Sequence, residues 1–497
     1  MPSPIPLAPP VTTATLSAKS RTVHSRFVGT DLSVQALVSD GTAGSKPAQH
    51  DARRWLEPSA RRNFDVDRCH NRGATMTATE TLRYIDSDGH ILEHPTGMLD
   101  FAPAKYRDRI WHIETDEQGV EWLHYNGTVL PANFMAAAGT AGMSDEDRAK
   151  SFRGELRYTE VRPAAYNAKA RLQDMDTDGI DLAVLYPTML LGLQSLHDID
   201  FAEAQAQAYN DWCSAHTQEG EGRLFGAGAV PPMHEPDDVA RVAAEIRRVA
   251  ELPGMVSVFM RPNPSVDWRP FNDPVYDPIW QAAQDTGLPI ALHPFLAPDL
   301  PGACIGLRLN RPRNPDGSYA DDFDPNAPAP QLGEENAQQP DPNLRTSVLF
   351  TQAIANPVDV MSCIAYLLAG GVCERFPGAK FIFLEANGGW IVPWLERLDH
   401  HCKKFQWEVQ DLSMLPSEYM KRQCWISFDP DEAMLGMTAT SPLVGADRII
   451  WASDYPHPDA KFPGVTEELT EALEGLSFEQ QQAITSESAM ALYGIGE

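Results

Sequence analysis

The sequence predicts a parallel α/β fold, a (β/α)8 TIM-type barrel enlarged by insertions. Three observations predict it. Short apolar runs alternate with helical stretches from residue 82 onward. Eight such runs can be counted, the number that closes a barrel of this kind. No G-x-G-x-x-G or Walker pattern follows an early strand, where an open doubly wound sheet would want one. The 497 residues exceed the roughly 250 of a plain barrel, so the surplus must lie in insertions.

The elements follow in order. Residues 82–88 read as the first strand, ending at Gly89-His90. Residues 96–160 mix Trp, Gly and charges and read as an insertion or lid. A helix over 162–175 leads to a second strand over 179–187, stopped by Pro187. The Ala/Gln-rich stretch 201–216 is helical, 224–230 a third strand closed by Pro231-Pro232. In 236–251, Val239, Val242, Ala243 and Ile246 carry helical 3/4 spacing. The fourth strand spans 255–260, a helix 274–285, and the fifth strand 288–293. Residues 297–345 are rich in Pro, Asn, Asp, Gln and Gly, a second insertion. Helix returns over 346–375. Strands over 380–385, 425–429 and 448–454 complete the eight, with helices over 390–405 and 478–492.

The first 75 residues differ from the rest. They carry ten Lys/Arg and six Asp/Glu, a net +4 that leaves −33 on residues 76–497. Rich in Ser, Thr, Pro and Arg and lacking an apolar signal core, they read as a disordered extension. Met76, directly before the first strand, offers a second explanation: a start from which the lead is excluded. The net charge of −29 argues against nucleic acid or an anionic membrane as partner. Seven Cys with no C-x-x-C indicate neither a disulfide framework nor a Cys-type zinc site and fit a reducing cytoplasm. The longest apolar runs, such as 366–372, fall far short of the roughly 18 residues of a membrane span.

Chemistry in such a barrel sits at the carboxyl ends of the strands. The first strand ends in Asp86-Ser-Asp88-Gly-His90, and strand alternation allows Asp86, Asp88 and His90 on one inward face, with Asp86 alternatively hydrogen-bonding a neighbouring strand. The fifth ends in His293, the sixth in Glu385, the seventh in Asp429, the eighth in Asp454 with His457 beyond. Arg261, after the fourth, is the cation these ends supply. A divalent metal is the simplest counter-charge, and two His with two or three carboxylates match zinc or another first-row ion. Single residues also have plainer readings. Asp429 before Pro430 reads as a helix cap, Arg261 as a carboxylate partner or a clamp for a substrate carboxylate, and Arg308, Arg311 and Arg313 as solvated.

Taken together, Asp88-Gly89-His90, His293, Gly388-Gly389-Trp390 and Trp451-Ala-Ser-Asp-Tyr-Pro-His457 resemble the amidohydrolase superfamily, more narrowly its amidohydrolase-2 branch, which includes the aminocarboxymuconate-semialdehyde decarboxylase group. Ser488-Ala-Met-Ala-Leu-Tyr493 resembles that branch's C-terminal helix, and the likeness spans residues 82–495. The resemblance implies one divalent ion, zinc first and manganese second, held by Asp88, His90, His293 and Asp454, with Asp454 also handling protons. It raises homodimer formation. This chain has Glu385 where many relatives have His at the sixth strand, and Asp88 where many have His or Glu. Asp454 and Glu385 are therefore the expected catalytic residues, and Glu385 acts as an acid only if burial raises its pKa. His457 and Arg261 are expected to bind substrate. The leading expectation is a metal-dependent hydrolase that activates water against a small amide, lactone or ring-derived acid. The alternatives are a non-oxidative decarboxylase of the same family and a non-catalytic binding barrel.

Overall fold

The computed structural model describes residues 82–295, 349 and 351–496. The predicted extension over 1–75, and the predicted insertion over 297–345 with Arg308, Arg311 and Arg313, lie outside the described residues. The strands among the described residues are β1 (Ile85–Ile91), β2 (His112–Thr115), β3 (Glu121–Tyr125), β4 (Thr128–Pro131), β5 (Leu182–Pro187), β6 (Leu224–Ala229), β7 (Met255–Met260), β8 (Ile290–Leu292), β9 (Phe381–Phe383), β10 (Cys424–Phe428) and β11 (Ile449–Trp451).

Eight of them form one parallel sheet in the order β1-β5-β6-β7-β8-β9-β10-β11. Its strands read as nearly continuous apolar runs because both faces are covered: Phe-Ile-Phe in β9 and Ile-Ile-Trp in β11 are wholly buried. The sheet curls into a nearly closed barrel. Its ends meet through bonds just past the last strand, where Asp454 N donates to Asp88 O at 3.1 Å and His90 N to Tyr455 O at 2.7 Å. The predicted barrel is the observed one.

Local signals set the flanking helices. Asn167 caps the helix Ala168–Asp178 by accepting from Ala170 N, and Gly179, at φ 70°, ends it in the left-handed conformation. The helix therefore starts later than the sequence suggests, because Pro163 opens a short 3₁₀ turn first. Asp198 caps the long helix Ile199–Gln218. Between β1 and the helix Ala168–Asp178, the chain builds a second, antiparallel sheet in the order β2-β3-β4. Its strands are too short and too mixed in character to stand out from the sequence. No helix of the described residues is long and apolar enough to cross a membrane.

Strand β1 runs three residues past its predicted end. The sequence reading ended the strand at Asp88, before Gly89-His90, but Gly89, His90 and Ile91 stay paired with β5. A bulge between Asp86 and Gly89 places one extra residue on β1. That insertion breaks the strict alternation on which the predicted common face of Asp86, Asp88 and His90 depended.

Candidate active site

The bulge separates the three polar residues of β1. Asp86 leaves the inward set and takes the other expected role, bonding the neighbouring chain: its carboxylate accepts from Ser453 N at 3.0 Å and Ser453 Oγ at 2.6 Å, with Arg171 Nη2 at 3.7 Å. This buried group anchors the chain that follows β11 to β1. Gly89 permits it, since a Cβ there would stand 2.5 Å from Asp86 Oδ2 and 2.8 Å from Arg171 Nη2.

Asp88 and His90 face the barrel mouth and meet His293, one residue past β8. His90 Nδ1 lies 3.0 Å from Pro187 O, and His293 Nδ1 2.7 Å from Pro294 O. A carbonyl only accepts, so both Nδ1 atoms carry the proton and both Nε2 atoms present lone pairs. Those two Nε2 atoms stand 3.3 Å apart, each 3.8 Å from Asp88 Oδ1. Asp88 Oδ1 is buried and accepts no hydrogen bond. Bare lone pairs and a carboxylate oxygen repel unless a cation lies among them. The two imidazoles and Asp88 form one of the groups able to hold a metal ion.

Asp454 adds to the cluster from β11. Its Oδ1 is 3.5 Å from His90 Nε2 and 2.7 Å from His457 Nδ1. His90, Asp454 and His457 form a second, overlapping group able to hold an ion. The backbone at Asp454 has φ 54°, a conformation costly for a residue with a Cβ but tolerated best by Asp and Asn. His457 stacks on His90 with ring centroids 4.1 Å apart, and its Nε2 reaches Thr188 Oγ1 at 3.2 Å.

Glu385 enters from the turn after β9, also in the left-handed region at φ 44°. Its Oε2 is 3.1 Å from His293 Nε2, while Gln352 Nε2 donates to Oε1 at 3.2 Å. Asn356 Nδ2 donates to Gln352 Oε1 at 2.9 Å and to Glu385 O at 3.3 Å. The following turn is tied down by Glu432, which accepts from Gly388 N and Gly389 N. Asp429 does not cap the next helix: its carboxylate accepts from Asn387 Nδ2 at 3.0 Å. Arg261, buried past β7, places its guanidinium 5.4 Å from the centre of the Phe295 ring and lies near enough to His293 to lower its pKa.

These carboxylates line a cavity of about 600 Å³, open mouth included, shared by Asp88, Glu385, Asn387, Asp429, Asp454 and Asp459. Their electrostatics expose a shortage of positive charge. Burial, then the Asp454 and Glu385 carboxylates, pushes Asp88 well above the usual carboxylate range. Burial raises Asp454 likewise, with Asp459 adding to it. Glu385 is pushed up to about 8, first by burial and then by Asp454. Burial holds His293 down at about 3, and His90 well below the ordinary imidazole value. A divalent ion among them would supply the missing charge.

The predicted residues Asp88, His90, His293, Asp454, His457 and Glu385 thus converge. The sequence reading missed Gln352, Asn356, Thr188, Asp459 and Glu432. Gln352 and Asn356 stand four apart at the start of a helix, a spacing that puts them on one side. It also missed Glu93, a buried carboxyl just past β1 that accepts from Met189 N at 3.1 Å and Leu190 N at 2.9 Å and so holds the loop after β5 beside Thr188.

Comparison with known proteins adds four findings. A family model described as Amidohydrolase matches residues 85–495. The 2-amino-3-carboxymuconate-6-semialdehyde decarboxylase of Dictyostelium discoideum is 21% identical over 347 residues, 68% of this chain and 79% of that one. Among solved structures, an amidohydrolase from Mycobacterium avium subsp. paratuberculosis aligns with a TM-score of 0.59 at 20% identity, covering 84% of this chain and 100% of that one. A 5-carboxyvanillate decarboxylase from Novosphingobium aromaticivorans, solved with manganese and a nitrobenzoic acid bound, gives 0.54 at 18% identity over 83% and 97% of the two chains. The structural likenesses bear on the fold.

Proposed function

We propose, on the premise that the chain belongs to the amidohydrolase family, that it is a metal-dependent non-oxidative decarboxylase of a small aromatic or unsaturated carboxylic acid. The family depends on metal, and the chain is one of its enzymes, which leaves the non-catalytic barrel without support. The observation that carries decarboxylation over hydrolysis is the similarity, across most of both chains, to a decarboxylase. The site agrees with it.

Asp88, His90, His293 and Asp454 would hold the ion, zinc before manganese by their donor set. A bound ion would supply Lewis acidity toward the substrate's oxygens. Everything else falls to the chain. Arg261 orients a substrate carboxylate. Gln352 occupies Glu385 Oε1 as donor, which leaves the Glu385 proton on Oε2, facing the cluster. As the C–C bond breaks, its electron pair stays on the substrate carbon and takes that proton, and CO2 leaves. Glu385 regains a proton from solvent through the open cavity. His457, fixed between Asp454 and Thr188, borders the same space.

Hydrolysis is the second reading, and the Asp454–His457 pair favours it, because a carboxylate bonded to an imidazole can take a proton from water. The two part in one assay. Purified protein loaded with zinc or manganese is given a panel of aromatic and unsaturated acids, and CO2 release is followed with and without a chelator. Release of CO2 in step with substrate loss, abolished by chelation, is the expected result. Substrate cleavage with incorporation of oxygen from labelled water and no CO2 would overturn it.

A further inference from the structure

The small antiparallel sheet carries a cluster that the barrel chemistry does not use. In the register of β2 and β3, His112 lies opposite His124 and Glu114 opposite Trp122. Alternation puts His112, Glu114, Trp122 and His124 on one face, while Ile113 and Leu123 point to the core. The two imidazoles stack, with centroids 4.6 Å apart and ring planes 16° from parallel. Glu114 reaches both: Oε1 is 3.5 Å from His112 Nε2, and Oε2 is 3.6 Å from His124 Nε2.

Those separations are informative. They exceed the roughly 2.7–2.9 Å of a charge-assisted hydrogen bond. They are of the size that separates ligand atoms around an ion with bonds of about 2.0–2.2 Å, about 3.3–3.6 Å, and one donor atom from each of the three residues lies within 4.8 Å of the others. The orientation of His112 points the same way. The residue is buried, and its Nδ1 donates to Ile110 O at 2.8 Å, which aims Nε2 at Glu114.

The scaffold beneath is stiff. At the β2–β3 turn, Asp116 accepts from Gln118 N, Val120 N and Trp122 Nε1, each within 2.9 Å, and Gly119 takes φ 81°. Three donors on a pinned hairpin need little reorganisation to receive an ion.

We propose that His112, Glu114 and His124 form a second divalent-metal site, of the zinc class, that clips β2 to β3. Glu114 and His124 sit on the outer side, so the fourth ligand position is left to water. Nothing in this site draws on the barrel.

The test uses the full chain and zinc as the probe. Zinc content is measured by elemental analysis after equilibration and desalting, for the wild type, His124→Ala, Glu114→Gln, His293→Ala and the double variant His124→Ala/His293→Ala. His112 is left intact because it is buried, and circular dichroism checks that each variant folds. His293→Ala removes the ion expected in the barrel and isolates the hairpin. The expected result is the loss of one zinc equivalent in His124→Ala and in Glu114→Gln, and no zinc in the double variant. Zinc content of His293→Ala that does not fall when His124 is also removed would overturn the proposal. If instead the wild type and His293→Ala hold the same amount and His124 still controls it, the hairpin site stands and the barrel assignment falls.

Discussion

The barrel mouth and the β2–β3 hairpin gather comparable donors by opposite means. The mouth draws Asp88, His90, His293, Glu385 and Asp454 from four strand ends separated by hundreds of residues. It buries Asp88, His90 and His293, half-buries Glu385 and Asp454, and bends the backbone through the left-handed region at Glu385, Asn387 and Asp454. The hairpin finds His112, Glu114 and His124 within thirteen residues on two regular strands, with Glu114 well exposed. Strained, buried and long-range construction is what a reacting site uses to hold charges where water would otherwise screen them. Local, half-exposed construction suffices to fasten two strands. Mutations in the mouth should therefore remove chemistry, and mutations in the hairpin should spare it.

The largest effect expected is at His293. His293→Ala deletes one of the two Nε2 donors and should lower kcat/KM for CO2 release by about 10³-fold or more, with loss of the barrel ion. Retention of activity and metal together would sink the assignment. Glu385→Gln comes next. It keeps the shape and the bond from Gln352 but removes the transferable proton. The expected loss is about 10²–10⁴-fold in kcat with the ion still bound. An unchanged kcat would move the proton-donor role elsewhere.

Much of the mouth was legible because strand ends in a parallel barrel are fixed by periodicity: His293, Glu385 and Asp454 each close an apolar run, and His90 follows the polar end of the first strand. What was not legible depended on departures from periodicity. The bulge in β1 turned Asp86 away to Ser453, and nothing in Asp-Ser-Asp-Gly-His announces an extra residue in the pairing. Gln352 and Asn356 reach Glu385 through tertiary contact alone. In the hairpin, His112 and His124 are ordinary surface-type residues until antiparallel register sets them side by side.

Glu93 offers a third, smaller test, one that separates support from chemistry. Burial outweighs its backbone donors and pushes it up to about 7 from 4.5. The folded state then binds the proton more tightly than the unfolded chain. Its contribution to stability is present at low pH and is lost as pH rises from about 4.5 through 7. The shift corresponds to roughly 3 kcal/mol across that window. Glu93→Gln should flatten the fall in urea midpoint between about pH 5 and 7. A slope identical to wild type would show that this carboxyl titrates alike in both states.

The smallest effect belongs to the hairpin, and it bears most directly on the contrast between the two regions. His124→Ala removes a ligand from regular strands whose ladder bonds and Asp116 turn remain in place. No barrel residue loses a partner. CO2-release kinetics should therefore stay within about twofold of wild type, since ΔΔG for sites without shared partners is close to additive. Any deficit should appear as a modest drop in thermal midpoint that added zinc no longer reverses. A tenfold fall in kcat with the barrel ion retained would mean that the small sheet positions the mouth. The hairpin would then count as part of the catalytic apparatus rather than as a separate clip.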